Sequence, residues 1–429
     1  MILFLCRALP SFNFGRDQRP DEPAQKNLEQ RNPLAKSRPL LTALALLWLV
    51  GNALRMSVLA VPPVIPVLRS EFNLSGTEIG ILTGLPIILF AAAALLGSRL
   101  VALLGVVRAV IAGLLLTAAG SALRGATSDV IGLFATTVVM GAGIAVTQPA
   151  LAALVGRWTP NHIVLGTGIY TNGLLVGEIL PIALFPWLFS LLDQSWRAIF
   201  VFWAIPIAVI ALLVLALAPR DKAVSVSTAP RWWPNWPARE ILRLGSVFAG
   251  VSAIYYGSNA FLPGYLTETG RADLISPALT ALNTGQLPAS LLLILFARHL
   301  ERKAWPFVVA GVLCITCIAS IVATAGAVTV ASAAVLGFAA GTAFALGLTL
   351  PPLLSTPAEV ARVSAAMFTI SYASALVISV LSGAAWDLTG DARFAFLPIA
   401  LIGLPSILIV PTMRFERVAS GGAERERSP

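Results

Sequence analysis

NALRMSVLAVPPVIP, residues Asn52–Pro66, is the stretch whose reading decides the fold. It lies inside a long apolar run that begins near Leu40, and one arginine, Arg55, sits well inside that run. A charge at membrane depth costs at least ~2.5–3.5 kcal/mol, so it is seldom there without a partner or a water-filled cavity. A few residues on, Pro62 and Pro63 interrupt the helical hydrogen-bond ladder. A charge and a broken helix within two or three turns are what a solute site in a membrane carrier needs. The same arginine is also read as a structural tie between helices, and both readings stand at this point.

The rest of the composition agrees with a membrane setting. Of 429 residues, 57% are hydrophobic and only 11% are charged, against about 25% charged in soluble proteins. The net charge of +9 raises the question of nucleic acid. The basic residues fall in short gaps between apolar runs, not on one face or stripe, which argues against it. Cys314 and Cys317 form a C-x-x-C inside an apolar run with no second pair, so they read as packing residues. His162 and His299 lie in connecting segments, and neither a metal site nor a cofactor is expected.

Residues 1–38 are polar and are expected to form a disordered cytoplasmic tail without a signal peptide. Apolar runs long enough to cross ~30 Å of hydrocarbon follow. They lie near 40–68, 77–98, 106–126, 130–156, 163–190 and 198–218. A charged, Trp- and Pro-rich linker occupies 219–240, and six more runs lie near 241–266, 277–297, 305–324, 328–354, 361–386 and 393–413. Residues 414–429 form a charged tail. The expected fold class is therefore an all-α polytopic membrane protein. It has twelve transmembrane helices in two pseudo-symmetric six-helix bundles, 39–218 and 241–413.

With both termini inside, only Arg69, Arg124, Arg197, Arg271 and Arg393 fall in outside loops, and Arg55 lies within a span. Every other Lys and Arg is cytoplasmic, as the positive-inside rule requires. The halves also repeat. LTGLP at 82–86 resembles NTGQLP at 283–288, and GAGIA at 141–145 resembles AAGTA at 339–343. Thr159–Pro160 and Thr356–Pro357 close equivalent runs. The offset stays near ~200 residues, as a parallel repeat about an axis along the membrane normal predicts.

Several of these stretches resemble the cyanate/2-nitroimidazole permease family of the major facilitator transporters. ALRMSVLAVPPVIP is similar to helix 1 of that family, GAGIAVTQPALAALVGRWTP to helix 4, GTGIYTNGLLVGE to helix 5 and YYGSNAFLPGYLTETG to helix 7. ALNTGQLPASLLL resembles helix 8 and VSAAMFTISYASALVISVLSGAAWDLTG helix 11. Two departures stand out. The stretch GSRLVALLGVVR keeps Gly97, Gly105 and Arg108 but has no acid, and Glu178 stands where a small residue is usual. The resemblance implies the major facilitator fold and a small polar or anionic substrate, such as a cyanate-like anion or a nitroimidazole.

Glu178 and Arg55 lie equally far along the fifth and first spans, counted from Ile163 and Leu40. At ~1.5 Å per residue both sit roughly 22 Å from the cytoplasmic end. If those spans are neighbours, as the resemblance implies, the two charges can pair. Three roles for Glu178 stay open: a proton-coupling site, a charge partner that an anionic solute displaces from Arg55, or half of a permanent ion pair. Asn52 lies one turn before Arg55, on the same face. Thr147, Gln148, Tyr170, Asn172, Tyr255, Tyr256, Asn259, Asn283, Gln286 and Tyr372 add polar groups to spans 4, 5, 7, 8 and 11. Each taken singly reads as interhelical glue. The substrate-binding set expected from these is Arg55, Asn52, Gln148, Tyr170, Tyr255 and Asn259, with the aromatics stacking on a flat solute.

No G-x-x-x-x-G-K-[ST] motif is present, so a gradient of solute or protons must drive transport. The expected function is a secondary transporter of the bacterial inner membrane, monomeric, with lipid and a small solute as partners. It moves a small polar or anionic organic solute by alternating access. Efflux of neutral heterocyclic drugs is the alternative within transport, and a non-transporting sensor the alternative from another class. The spans hold no nucleophile–base set, so no enzymatic activity is expected.

Overall fold

Each apolar run is helical wherever it is described, and the breaks fall at prolines. The computed structural model describes residues 33–219, 238–289, 303–354 and 360–412. The first span is Pro33–Leu59, a 3-10 turn at Pro62–Val64, and a second helix Ile65–Phe72. Pro62 and Pro63 carry no N–H, so the α-helical ladder stops at Leu59 and restarts after the turn. Spans two to four are Gly76–Leu104, Val106–Arg124 and Val130–Trp158. The fifth is Ile163–Ala183 followed by Phe185–Leu191, bent by 49° at a break between Pro181 and Pro186. The sixth is Trp196–Leu217.

After the linker come Ala238–Glu268, Ile275–Thr284 with its continuation to residue 289, Trp305–Ala323, Ala327–Leu354 and Val360–Thr389. The twelfth span, expected as one run, is two short helices, Phe396–Leu401 and Leu404–Leu408. Among the described residues seven helices are long and apolar enough to cross a membrane, and the bent fifth span makes an eighth.

One boundary moves. Residues 33–38, expected to belong to the disordered tail, are helical and open the first span. The remainder of that tail, most of the 219–240 linker, the C-terminal tail and Thr356–Pro357 lie outside the described residues. Cys314 and Cys317 are free and packed inside the ninth span.

Helices two, three, four and six pack together, as do seven and eleven, and eight, nine and ten. The halves meet most extensively at span two against span eleven and span five against span eight, and span seven also touches spans one and two. The first of these is closed by an acid acting at a distance. The N-terminus of span two carries its own capping box, in which Glu78 N–H donates to Ser75 Oγ (3.1 Å) and Ser75 N–H to Glu78 Oε2 (2.8 Å). Asp387, near the end of span eleven, takes the remaining donors: Gly76 N–H at 2.6 Å and Thr77 N–H at 2.8 Å, with the Thr77 hydroxyl at 2.6 Å. A helix start leaves its first N–H groups without internal partners, and a carboxylate answers them with favourable dipole alignment.

Beside it Arg69 pairs with Glu268 at 2.7 Å and stacks over Trp386, 4.0 Å from the ring centroid. Gly383 lies so close to the Gly76 carbonyl that a Cβ at 383 would collide with it. This end of the molecule, which we call the latch end, is thus shut by contacts between the two halves.

Candidate functional site

The first and fifth spans meet through glycine. Gly177 lies directly on the Asn52 carbonyl, a close approach that a side chain would prevent. That contact brings Arg55, one turn beyond Asn52, face to face with Glu178, which directly follows Gly177. Arg55 Nε is 3.4 Å from Glu178 Oε1, and both side chains are below one tenth exposed. The equal depth read from the sequence corresponds to an ion pair.

The pair does not belong to one half alone. Arg55 Nη1 donates to the Tyr256 hydroxyl, and the guanidinium lies 5.9 Å from that ring's centroid. Gln286 Nε2 donates to Glu178 Oε2 at 3.1 Å. Arg55 and Tyr256 are 201 residues apart, the offset of the sequence repeat, so equivalent positions of the two halves touch each other here. Tyr255 and Tyr256 make an edge-to-face pair with centroids 5.1 Å apart.

Behind Tyr255 runs a chain of neutral bonds between spans seven and eight. The Tyr255 hydroxyl donates to Asn283 Oδ1 (2.6 Å). Asn283 Nδ2 donates to Asn259 Oδ1 (2.9 Å) and to the Leu279 carbonyl (2.8 Å), and Asn259 Nδ2 donates to the Tyr255 carbonyl (3.0 Å).

These groups line a cavity of about 120 Å³. Arg55, Glu178, Tyr255, Tyr256 and Gln286 form its polar wall, while Leu174, Leu175, Val251, Phe344 and Leu348 form an apolar one. A cavity of ~150 Å³ accepts a benzene-sized molecule, so in this conformation the space suits a solute of a few heavy atoms. Its polar groups are a cation, two hydroxyls, a carboxylate and an amide, and most of the remaining lining is apolar.

The residues expected at the site divide accordingly. Arg55, Glu178 and Tyr255 line the cavity, and Asn259 stands behind Tyr255 as its hydrogen-bonded support. Gln148 is partly buried and pairs with Tyr372, a span-eleven residue in the electrostatic environment of Arg55. Tyr170 packs half-buried against the core, its main chain pressed on Gly51, and does not line this cavity. Asn52 is buried at 1% exposure, and neither atom of its amide has a hydrogen-bond partner among the described residues.

The two lining residues that hydrogen-bond the ion pair from the other half, Tyr256 and Gln286, were missing from the expected set. The signal for Tyr256 was present in the repeat, which places it opposite Arg55. Gln286 carried no such signal, because its value comes from reaching Glu178, 108 residues away in the chain.

Comparison with known proteins agrees with this architecture. The Major Facilitator Superfamily profile matches residues 47–378. The cyanate transport protein CynX of Escherichia coli (strain K12) is 28% identical over 270 residues, which is 61% of this chain and 68% of that protein. A 2-nitroimidazole transporter of the same organism is 27% identical over 259 residues, 59% of this chain and 65% of its own. Among solved structures, the inward open xylose transporter XylE from E. coli superposes with a TM-score of 0.68 at 14% identity, covering 89% of this chain and 98% of that one. The peptide transporter POT in complex with alafosfalin gives 0.70 at 14% identity, covering 86% and 94%.

Proposed function

From the premise that this chain belongs to the major facilitator superfamily, we propose that it carries a small polar or anionic organic solute in the cavity around Arg55. The chain is a multi-pass secondary transporter, not an enzyme. Its two six-helix bundles, 39–218 and 241–413, rock about that cavity and expose it alternately to the two sides. It works as a monomer in a bacterial inner membrane with both termini in the cytoplasm, an orientation supported by the distribution of Lys and Arg. The latch end is then the outer face.

The observation that carries this reading is the double allegiance of the Arg55–Glu178 pair. Arg55 and Glu178 belong to one half, yet each is hydrogen-bonded to the other half, through Tyr256 and Gln286. When the halves separate, those two bonds must break. A buried charge without partners is costly, so a solute that replaces Tyr256 or Glu178 at the guanidinium couples occupancy to movement. Substrate binding is assigned to Arg55 and Tyr255, with Tyr256 and Gln286 added. Asn52 and Gln148 serve as neighbours reached in another conformation, Asn259 as support, and Tyr170 as packing. Glu178 is the charge partner of Arg55 and the group to which a driving proton would bind.

The apolar wall favours a second reading, in which neutral heterocycles are exported and Arg55 is dispensable. A thermal-shift screen separates the two, using small anions, carboxylates and nitroimidazoles with wild type and Arg55→Gln. A ligand at ~100 times its Kd stabilises by roughly 2.7 kcal/mol. Stabilisation of the wild type by anions, lost in Arg55→Gln, supports the proposal. Equal stabilisation of both proteins by neutral heterocycles alone refutes it.

A further inference from the structure

Tyr255 stands between two acceptors and has one proton to give. Its hydroxyl is bonded across the halves to the Glu178 carboxylate, and within its own half to Asn283 Oδ1, 2.6 Å away. The Asn283 amide is not free to turn. A main-chain carbonyl can only accept a hydrogen bond, so the Asn283 atom 2.8 Å from the Leu279 carbonyl is its nitrogen. That leaves its oxygen for Tyr255. Asn259 is set in the same way by the Tyr255 carbonyl at 3.0 Å, and offers its oxygen to the Asn283 nitrogen at 2.9 Å. Asn283 has no exposed surface and Asn259 only 2%.

The number of protons present decides what this network satisfies. With Glu178 ionised, its carboxylate takes the Tyr255 proton, because a charge-assisted bond is the stronger one. The Asn283 oxygen then faces a hydroxyl lone pair, a buried acceptor without a donor, which is costly. With a proton on Glu178 each donor in the chain has its acceptor. Glu178 donates to the Tyr255 oxygen, Tyr255 to Asn283, Asn283 to Asn259 and Leu279, and Asn259 to the Tyr255 carbonyl. Among the described residues the titratable groups around Glu178 are Arg55 of span one, Tyr255 and Tyr256 of span seven and Tyr372 of span eleven, while Gln286 of span eight is neutral. Tyr and Arg ordinarily titrate at about pH 10 and above. A proton exchanged with water near neutral pH therefore goes to Glu178.

We propose that Tyr255 is the positioning residue that reads the proton on Glu178. Its hydroxyl turns to Glu178 when that carboxyl is charged and to Asn283 when it is protonated, and Asn283 and Asn259 hold the second acceptor in place. This rests on the reading of the Arg55 cavity as the solute site and gives that site a proton dependence. The proton comes from water on the side to which the cavity is open. Its arrival matches the bonds that join span five of one half to spans seven and eight of the other. It also keeps a buried site neutral, which is the cheap condition at membrane depth. The empty site holds Arg55 and a charged Glu178. The loaded site holds Arg55, an anionic solute and a neutral Glu178.

The test needs no solute. Infrared difference spectroscopy on the purified full-length protein follows the protonated-carboxyl band that Glu178→Gln removes, as pH is raised. In the wild type that band disappears within the range in which the protein stays folded. Asn283→Leu frees the Tyr255 proton for the carboxylate. Glu178 then binds its proton about tenfold more weakly, and the band is lost ~1 pH unit lower. Tyr255→Phe weakens proton binding too, by less, and adding Asn283→Leu to Tyr255→Phe changes nothing further.

A Tyr255 that only donates to the carboxylate predicts the opposite sign, with proton binding strengthened in Tyr255→Phe, and that result overturns the proposal. So does an Asn283→Leu titration equal to the wild type, an Asn283→Leu effect that persists without the Tyr255 hydroxyl, or a Glu178 band that is absent or constant throughout. If Asn283→Leu does not fold, the sign of Tyr255→Phe decides. The reading beneath fails separately. If the titrations behave as stated while Arg55→Gln leaves stabilisation by anions unchanged, only the solute site has failed. If Arg55→Gln abolishes that stabilisation while Tyr255→Phe strengthens proton binding, only the proton reading has failed.

Discussion

Among the described residues of the N-terminal half two arginines are buried, Arg55 and Arg124, and their surroundings are unlike. Arg124 closes the third span and has no exposed surface. Its Nε donates to the Thr137 hydroxyl at 3.1 Å, its Nη1 to the Ser57 carbonyl at 2.9 Å, and its guanidinium lies 5.2 Å from the Phe200 ring centroid. Ser57 is one of the carbonyls near the proline break. Val61 N–H turns instead to Val58, which leaves the Ser57 oxygen open to the arginine. Arg124 thus ties spans one, three, four and six together, and every partner moves with it as the halves rock. Arg55 has a carboxylate partner, lines a cavity, and is bonded to a hydroxyl of the opposite half. A buried cation whose partners all lie in one rigid half stabilises that half. A cation whose partners are divided between halves changes surroundings with every cycle.

That contrast is open to breaking by measurement, and the largest effect is expected at Arg124. Arg124→Leu removes two bonds from buried acceptors and leaves those acceptors unmatched, a loss of about 3 kcal/mol. Denaturation in detergent should show it as a large fall in midpoint, while the folded fraction binds solute with unchanged affinity. If binding is lost and stability is not, the two arginines have been assigned the wrong way round.

Arg55→Gln reverses the pattern. Solute affinity falls 10- to 100-fold, about 1.4–2.7 kcal/mol. The double variant with Glu178→Gln, which removes the orphaned carboxylate, keeps near wild-type stability. Loss of stability without loss of affinity in that double variant identifies a purely structural pair.

The latch end gives a smaller effect. Asp387→Asn weakens charge-assisted bonds to the start of span two and shifts the equilibrium by about 1–2 kcal/mol toward an open latch end. Labelling of Ser379→Cys by an impermeant maleimide, in a cysteine-free background, should speed up by roughly tenfold. An unchanged rate means that Asp387 only caps a helix. The smallest change is expected for Glu268→Gln. Its ion pair with Arg69 is about one third exposed and contributes under ~1 kcal/mol, less as salt rises. A shift as large as that from Asp387→Asn, or one insensitive to salt, contradicts the ranking.

The sequence was informative wherever the physics is local. Every expected span is helical where described, since a segment without water must close its own hydrogen bonds. The depth match of Arg55 and Glu178 was legible because helical rise converts residue number into distance. Arg124 was read as an outside-loop residue, since it stands at the edge of an apolar run. Its burial comes from Ser57, Thr137 and Phe200, residues of three other spans that no local pattern connects to it. Tyr170 and Asn52 were chosen because polar groups in a span suggest a cavity. The close glycine contact of spans one and five turns their main chains together, and neither lines the cavity in this conformation.

The sequence by itself determined the membrane setting, the twelve spans, the repeat and the pair of charges at one depth. These follow from apolar run length, proline chemistry and a fixed rise per residue. The tertiary structure alone decided which polar groups meet. Ser75 and Glu78 cap span two from within a local motif, but Asp387 completes that cap from 311 residues away. Tyr256, Gln286 and Asn283 likewise acquire their hydrogen-bonding roles only across packed helices. A hydrogen bond reaches about 3 Å, so it reports where the chain has returned to, and sequence position carries no record of that return.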